Sequence, residues 1–208
     1  MGEPFFSVIV PAHNAVGFMR KGLDSIRRQS FRDYELIVIA DKCEDGTARI
    51  AEEYADRVIV TEHGLCGLAR NAGMDVAEGK YLLFMDDDDY WMAGNAFQQI
   101  HDTAVKEDPD IIFFGFYWNG RGFVTQEKNY CWAVWNKAWR REFVGDVRFD
   151  DFEYGEDVAY TKALFGRDHK RAYINNSLYF YDYMRYGSQS WKYERGMVKY
   201  APKGGVKR

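Results

Sequence analysis

Hydrophobic and polar residues alternate in blocks along the first part of the chain. The apolar run at 6–10, closed by Pro11, predicts a buried strand, because a strand covered on both faces carries consecutive hydrophobic residues. Between 17 and 29 the hydrophobic residues recur instead at helical spacing, with basic residues between them. These two patterns then repeat, which predicts strands beginning at 35, 57 and 80 and helices near 47–54 and 68–77.

The alternation of four strands with three helices predicts an α/β fold, in which helices cover both faces of a mostly parallel sheet. Such sheets bind ligands beyond the carboxyl ends of their strands, so we expect the functional residues there. The second half is less regular: strands are predicted at 110–118 and 171–183, and helices after Ala93 and through 155–165. The aromatic segment 132–143 has no periodicity that assigns it to a helix or a strand.

Composition and charge narrow the functional classes. With 208 residues, 47% of them hydrophobic, the chain can bury one core without disulfides or structural metals. A net charge of -4 argues against a nucleic-acid partner, which needs a basic face. Cys43, Cys66 and Cys131 form no C-x-x-C pair, so neither a disulfide framework nor a zinc site is predicted. No stretch reaches the roughly 20 apolar residues of a membrane span, and we expect the protein in the cytoplasm.

Four consecutive carboxylates follow the strand predicted at 80–85: Asp86, Asp87, Asp88 and Asp89. Crowded acids repel one another, and a bound divalent cation is the simplest way to lower that repulsion. Mg²⁺ or Mn²⁺ would keep coordination positions for waters and substrate phosphates. The alternative is a solvated loop in which Asp89 caps the next helix, and spacing alone does not decide between the two.

A second acidic pair, Glu156 and Asp157, begins the helix predicted after Gly155. A carboxylate at a helix start often serves as its N-cap, which is the structural interpretation. The functional interpretation is a general base, which removes the proton of a hydroxyl as its oxygen attacks. Taken alone, the pair favours the cap.

Five segments, in this order, resemble the family 2 glycosyltransferases of the GT-A fold: FSVIVPAHN, ELIVIADKCEDGT, LARNAGMDVAEGKYLLFMDDDDYW, VWNKAWRREF and YGEDVAY. The ARNAG helix just before the strand-terminal acids is the most distinctive of them. The resemblance implies a Rossmann-like, mostly parallel mixed sheet flanked by helices. It also implies one domain at 1–190, with a nucleotide-sugar-binding half (1–92) and an acceptor and catalytic-base half (93–190), followed by a basic tail at 191–208.

The resemblance implies that two groups of residues contact the donor. At the nucleotide they are Pro11, Ala12, Asn14, Asp41 and Arg70. At the diphosphate they are Asp86, Asp87, Asp88 and Arg185. Asp88 and Asp86 are implied to hold a divalent metal, Mn²⁺ or Mg²⁺. The structural alternative for Asp41 and Arg70 is a turn, a cap or a surface salt bridge.

On the acceptor side, the resemblance implies that Asp157 is the catalytic base, with Glu156 as its support or as an acceptor ligand. Trp135 is a candidate for acceptor binding, because aromatic faces can stack on sugar rings. Trp132, Trp135 and Trp139 have the alternative of packing in the core, on one side of a helix.

The activity that the resemblance implies is an inverting sugar transfer from a nucleotide-diphosphate sugar, with UDP the nucleotide most frequent in the family. The acceptor is expected to be a glycan or lipid-linked glycan in bacterial surface-polysaccharide or glycolipid synthesis. Here Ala40 and Asp41 replace the family's aspartate pair, and Lys42 and Cys43 its glycine-serine, which leaves the base open.

Two other functions remain open from the sequence. One is a non-catalytic nucleotide-sugar-binding module. The other is an aspartate-dependent phosphohydrolase, although its Asp-x-Asp would follow the first strand rather than the fourth. The basic tail is either an ordinary solvated end or a peripheral contact with the anionic inner face of the cell membrane.

Overall fold

One sheet of nine strands runs through the residues that the computed structural model describes, which are 2–125, 132–183 and 185–198. The strands are β1 (Phe6–Ala12), β2 (Tyr34–Asp41), β3 (Arg57–Thr61), β4 (Tyr81–Phe84), β5 (Tyr90–Trp91), β6 (Ile111–Trp118), β7 (Gly122–Val124), β8 (Lys137–Arg140) and β9 (Arg171–Tyr181). The helices are α1 (Met19–Arg27), α2 (Thr47–Tyr54), α3 (Cys66–Val76), α4 (Ala96–Glu107), α5 (Arg141–Val144), α6 (Glu156–Phe165) and α7 (Gln189–Glu194). The sheet order is β3-β2-β1-β4-β8-β6-β9-β5, and β7 pairs with β6.

The part of the sheet formed by β3, β2, β1 and β4 is parallel throughout, which confirms the prediction for the first half. The predicted end of β1 is wrong, because the strand continues through Pro11 to Ala12. The Met85 N–H donates to the Ile9 carbonyl, so the backbone N–H and carbonyl of Ile9 point toward β4. The backbone of Pro11, two residues further on, points to the same side but lies beyond the last residue of β4. At that position no neighbouring strand needs the N–H that a proline lacks.

The other part of the sheet is mixed. β8 is antiparallel to both β4 and β6, whereas β6 and β9 are parallel to each other with a register shift at Gly115. The unassigned segment 132–143 forms a loop, β8 and most of the one-turn helix α5. Ala138 and Trp139 point to opposite faces of β8 and are both buried, so this short strand shows no alternation of apolar and polar residues.

Helices cover both faces of the sheet, which explains why the central strands are apolar throughout. Side chains on one face of the sheet, such as Val8 and Val38, pack in a core with α1, α2 and α4. Side chains on the other face, such as Ile9 and Ile37, pack in a second core with α3 and α6. The strand ends at the carboxyl edge are thereby held on both sides.

α3 lies unusually close to the sheet. A β-carbon at Gly73 would be 2.6 Å from Cγ2 of Ile9 and 2.8 Å from Cδ1 of Ile39, so only glycine permits this approach. On the other side of α3, the Asn71 side chain bonds both the N–H and the carbonyl of Phe149, each at 2.9 Å. These contacts fix the helix and direct the preceding residue, Arg70, to the carboxyl edge of the sheet.

α7 crosses position 190, where the sequence places the end of the domain. The ring of Tyr193 stacks on Tyr154 with centroids 4.4 Å apart, and the Tyr181 hydroxyl lies 3.2 Å from Oγ of Ser190. Ser190 and Tyr193 of α7 therefore contact the rest of the described fold, and residues 199–208 of the predicted tail lie outside the described part. Within the described ranges, no helix combines the length and apolar character needed to cross a membrane.

Candidate functional site

A cleft of about 480 Å³ opens at the carboxyl edge of the sheet. One wall contains Pro11 and Ala12 of β1, Asp41 of β2 and the acids 86–88 that follow β4, and we call it the donor wall because the sequence predicts the donor there. The facing wall contains residues from 132–135, the first turn of α6 and the segment 181–192, and we call it the acceptor wall because the sequence predicts the acceptor residues there. The cleft lies where sheets of this class bind ligands, as the sequence predicts.

Asp89 has a structural role that differs from the predicted one. It caps no helix, because α4 begins only at Ala96. The Asp89 carboxylate is buried and accepts hydrogen bonds from the Tyr179 hydroxyl at 2.7 Å and from the Asp182 N–H at 2.8 Å. It thereby ties the acidic turn to the end of β9, and the other three acids of the turn line the cleft.

Asp87 and Asp88 lie together on the donor wall. The Asp87 carboxylate accepts a hydrogen bond from the His13 N–H at 3.0 Å, and Asp88 accepts one from Nε of Arg185 at 2.6 Å. Burial and the charge of Asp88 raise the pKa of Asp87 to about 8. Burial and the charge of Asp86 also raise the pKa of Asp88. Burial and mutual repulsion therefore destabilise the ionised carboxylates of this turn, and a nearby positive charge would offset that cost.

This donor set fits one type of metal site. In the described part of the chain, no three His, Cys, Asp or Glu side chains are arranged to hold an ion by themselves. Asp86 and Asp88 each use one oxygen for an arginine. Burial and the Asp86 charge raise the pKa of Asp88, so a further positive charge nearby would stabilise its ionised form. Mg²⁺ is commonly held by one or two carboxylates together with waters and substrate phosphates. The residues fit an ion that binds with a phosphate ligand, not an all-protein cage.

The residues predicted at the nucleotide separate into two groups. Pro11, Ala12, Asp41 and Arg70 line the cleft, whereas Asn14 does not, and its side-chain oxygen accepts from the Glu44 N–H at 2.9 Å. The Asp41 carboxylate accepts three hydrogen bonds from the end of β3 and the segment that follows it: from Oγ1 of Thr61 and the N–H of His63, both at 2.8 Å, and from the N–H of Leu65 at 3.1 Å. Asp41 thus organises this loop at the edge of the cleft.

Arg70 joins the two walls. It is 3% exposed, and its Nη2 donates to Asp86 Oδ1 while its Nη1 donates to Glu156 Oε1, both at 2.7 Å. The guanidinium also lies over the Phe149 ring, 5.3 Å from its centroid. The alternative of a surface salt bridge is therefore wrong for Arg70, and Glu156 is bound to α3.

Asp157 lies in the first turn of α6 and lines the cleft. The N-cap of α6 is Gly155, at φ +89°, and no side chain caps the helix, so neither acid has the predicted capping role. The Asp157 Oδ1 accepts from the Val158 N–H at 2.8 Å. Burial and the neighbouring Glu156 charge raise the pKa of Asp157 to about 7, against the opposing effect of Arg70. This is a pKa suited to a general base near neutral pH.

The three tryptophans occupy three different environments. Trp139 is fully buried in the core that contains α3 and α6, and its Nε1 donates to the Val134 carbonyl at 3.2 Å. Trp135 lines the cleft but is only 5% exposed, because it stacks on Tyr179 and Tyr181 with centroids 5.0 and 4.7 Å apart. Trp132 also lines the cleft, and at 38% exposed it is more accessible than Trp135.

Several lining residues were not selected from the sequence. His13 donates its N–H to Asp87, and its Nδ1 lies 2.8 Å from the Asp41 carbonyl, so it joins three strand ends. Its position beside Pro11 and Ala12 was the available signal. Tyr181 and Lys192 also line the cleft, but no local pattern marks them, because only the packing of β9 and α7 brings them there.

The Glycosyl transferase family 2 model matches residues 7–179. EpsJ of Bacillus subtilis, named an uncharacterized glycosyltransferase, is 30% identical over 86% of this chain and 61% of its own length. Glycosyltransferase GlyA of Streptococcus pneumoniae is 28% identical over 88% of this chain and 31% of its own length. The chain thus spans less than two thirds of the length of each of these two relatives.

Solved structures share the fold. TarS of S. aureus, in complex with UDP-GlcNAc, has a TM-score of 0.80 and 26% identity over 89% of this chain and 60% of the TarS chain. The mannosyltransferase PcManGT of Pyrobaculum calidifontis, solved with GDP-Man and Mn²⁺, has a TM-score of 0.71 over 94% of this chain and 61% of its own, and at 17% identity it shows the fold alone. The predicted GT-A fold is confirmed. Neither the phosphohydrolase nor the non-catalytic module gains support from these similarities.

Proposed function

The chain belongs to glycosyl transferase family 2, and on this premise we propose that it transfers a sugar, with inversion, from a nucleotide-diphosphate sugar to an acceptor hydroxyl. One observation carries the proposal. Three carboxylates at the end of β4 and Asp157 at the start of α6 line a single cleft at the carboxyl edge of the sheet. This arrangement supplies a site for a diphosphate and a base for the attacking hydroxyl.

The donor in this proposal is a UDP-sugar. Pro11, Ala12 and Asp41 line the part of the cleft formed by β1 and β2, where the nucleotide is expected, and Asn14 orders the adjoining loop through Glu44. Support for UDP comes from TarS, a structural relative at 26% identity, whose structure contains UDP-GlcNAc.

In the proposed donor complex, Asp88 and Asp86 would hold Mn²⁺ or Mg²⁺, with Asp87 beside them. When bound, the ion neutralises charge on the leaving diphosphate. Arg185 extends from the acceptor wall, with its Nε 2.6 Å from Asp88, so its guanidinium lies where it can also contact the diphosphate. The raised pKa values of Asp87 and Asp88 support the need for a cation at this turn.

Asp157 is the proposed base, which accepts the proton of the acceptor hydroxyl while that oxygen forms the bond to the anomeric carbon. Glu156 supports it, and the aromatic acceptor wall, including Trp135, favours a glycan or lipid-linked glycan acceptor. The setting proposed from the family is bacterial surface-polysaccharide synthesis in the cytoplasm, with peripheral contact at the inner face of the membrane. Liposome binding by the full chain that is lost on deletion of 199–208 would support that contact, and no binding by the full chain would remove it.

The test incubates the purified chain with Mn²⁺ and a panel of nucleotide sugars and glycan acceptors, and follows products by mass spectrometry and anomeric NMR signals. We expect transfer with inverted configuration from one donor. In parallel, calorimetry should show that Asp88→Ala loses the metal-dependent part of UDP binding, while the surface control Asp75→Ala keeps it. A retained configuration, or UDP binding with no turnover of any donor, would contradict the proposed reaction.

A further inference from the structure

Arg70 is placed to set the geometry between the two walls of the cleft. Its two terminal nitrogens bond carboxylates that come from distant parts of the chain, Asp86 at the end of β4 and Glu156 at the start of α6. Glu156 is followed directly by Asp157, and Asp86 is followed by Asp87 and Asp88. One rigid guanidinium therefore connects the backbone segments that carry the base and the diphosphate-binding acids.

The anchor of this connection is itself fixed. Arg70 lies on α3, which Gly73 seats against β1 and β2 and which Asn71 ties to the backbone of Phe149. A β-carbon at Gly67, one turn before Arg70, would lie 3.1 Å from Cγ of Glu156, so the helix also packs directly on the Glu156 side chain. Movement of α6 relative to β4 would have to break these contacts.

The same contacts distinguish Arg70 from an ordinary donor ligand. Both terminal nitrogens are engaged by protein carboxylates, and 3% exposure leaves little of the guanidinium for a phosphate. Glu156 is likewise bound to Arg70, which limits its use as an acceptor ligand. A lysine would not replace this arginine, because a single ammonium on a flexible stem lacks the fork that fits two carboxylates in fixed directions.

We propose that Arg70 is a positioning residue, which holds Asp157 at its working distance from the donor by bridging Asp86 and Glu156. The proposal rests on the glycosyltransferase function above. Its first consequence is that Glu156, on the acceptor wall, affects donor binding through Arg70. Its second consequence is that a loss of the bridge misplaces the base, and a misplacement of about 1 Å can cost on the order of 100-fold in rate.

A double-mutant cycle on UDP binding in the presence of Mn²⁺ tests the first consequence without requiring turnover. The variants are Arg70→Met, Glu156→Gln and the double variant, measured by calorimetry. We expect each single substitution to weaken UDP binding several-fold. The double variant should bind UDP about as tightly as the single variant with the lower affinity, because the two substitutions remove the same bridge. If Glu156→Gln leaves UDP affinity unchanged while Arg70→Met lowers it, Arg70 is a donor ligand and the proposal is overturned.

Turnover tests the second consequence. We expect kcat to fall about 100-fold in Arg70→Lys, although the positive charge is kept. A kcat of Arg70→Lys near the wild-type value would overturn the positioning role.

The exposed ion pair of Arg20 and Glu53 is the matched control, and Arg20→Met and Glu53→Gln should change neither UDP affinity nor kcat. If Arg70→Met does not fold, as judged by near-UV circular dichroism, the binding cycle is run with Arg70→Lys. A wild-type chain that transfers from no donor would refute the proposed function, whereas the binding cycle would still decide the role of Arg70.

Discussion

The donor wall and the acceptor wall of the cleft are built in different ways. On the donor wall, Pro11, Asp41 and Asp86 sit at or just past the ends of neighbouring parallel strands, so the register of β1, β2 and β4 places them. On the acceptor wall, 132–135, the start of α6 and 181–192 are held by stacked rings and side-chain hydrogen bonds. The donor wall thus depends on backbone pairing, and the acceptor wall depends on side-chain packing.

The largest expected effect comes from a substitution on the acceptor wall that lowers the transfer rate without changing donor affinity. Asp157→Asn removes the proposed base, and we expect transfer to fall by about 10² to 10⁴-fold, because that is the usual contribution of general base catalysis. UDP affinity should stay at the wild-type value, because the donor wall is unchanged. Rates are measured by product formation, with exposed Asp151→Asn as the control. Full transfer by Asp157→Asn would refute the role of this residue.

Substitution of a buried residue should weaken the packing of the acceptor wall. Trp139 is fully buried and supports the segment 132–135 through the Val134 carbonyl. We expect Trp139→Ala to lower the free energy of unfolding by about 3–5 kcal/mol, the usual range for removing a buried aromatic ring. Trp132→Ala, at a partly exposed site, should cost much less. Urea unfolding measures the free energy of unfolding of both variants. An equal loss in the two would mean that the buried ring of Trp139 stabilises the protein no more than the partly exposed Trp132.

The donor wall can be disturbed through α3. At Gly73 an added methyl group meets Ile9 and Ile39 at 2.6 and 2.8 Å, so we expect Gly73→Ala to cost about 1–3 kcal/mol of unfolding free energy by overpacking. Gly17 has no atom within 4 Å of a built β-carbon, which makes Gly17→Ala the matched control. Thermal or urea unfolding decides the comparison. A Gly73→Ala variant as stable as Gly17→Ala would show that α3 can move away from the sheet.

The smallest effect concerns pH. The raised pKa of Asp157, about 7, means that the carboxyl is protonated below that pH and cannot accept a proton. The transfer rate should therefore rise with pH through about 7 and then level off, with a change approaching tenfold per pH unit on the acidic side. The residual rate of Asp157→Asn should lack this rise. A flat wild-type profile between pH 5 and 8 would exclude Asp157 as the titrating base.

The sequence allowed the donor wall to be predicted in more detail than the acceptor wall. The apolar runs of β1 to β4 and the acids after β4 are local patterns, and the parallel sheet joins their ends without further information. For Trp139 the sequence favours packing but leaves the cleft open, because the burial of both faces of β8 removes the pattern that identifies a strand. The structural alternative for Asp89 is a helix cap, but its partners are the hydroxyl of Tyr179 on β9 and the N–H of Asp182, just after that strand.

Local periodicity in the chain determined the α/β alternation, the positions of the acids and the helix that carries Arg70. Tertiary structure alone decided which of these side chains meet. Arg70 and Glu156 are separated by 86 residues, Asp88 and Arg185 by 97, and a pattern that repeats over two to four residues holds no information on such pairs. Sheet register and the packing of α3 against α6 bring them together, and so create the charge balance in which Asp157 can act as a base.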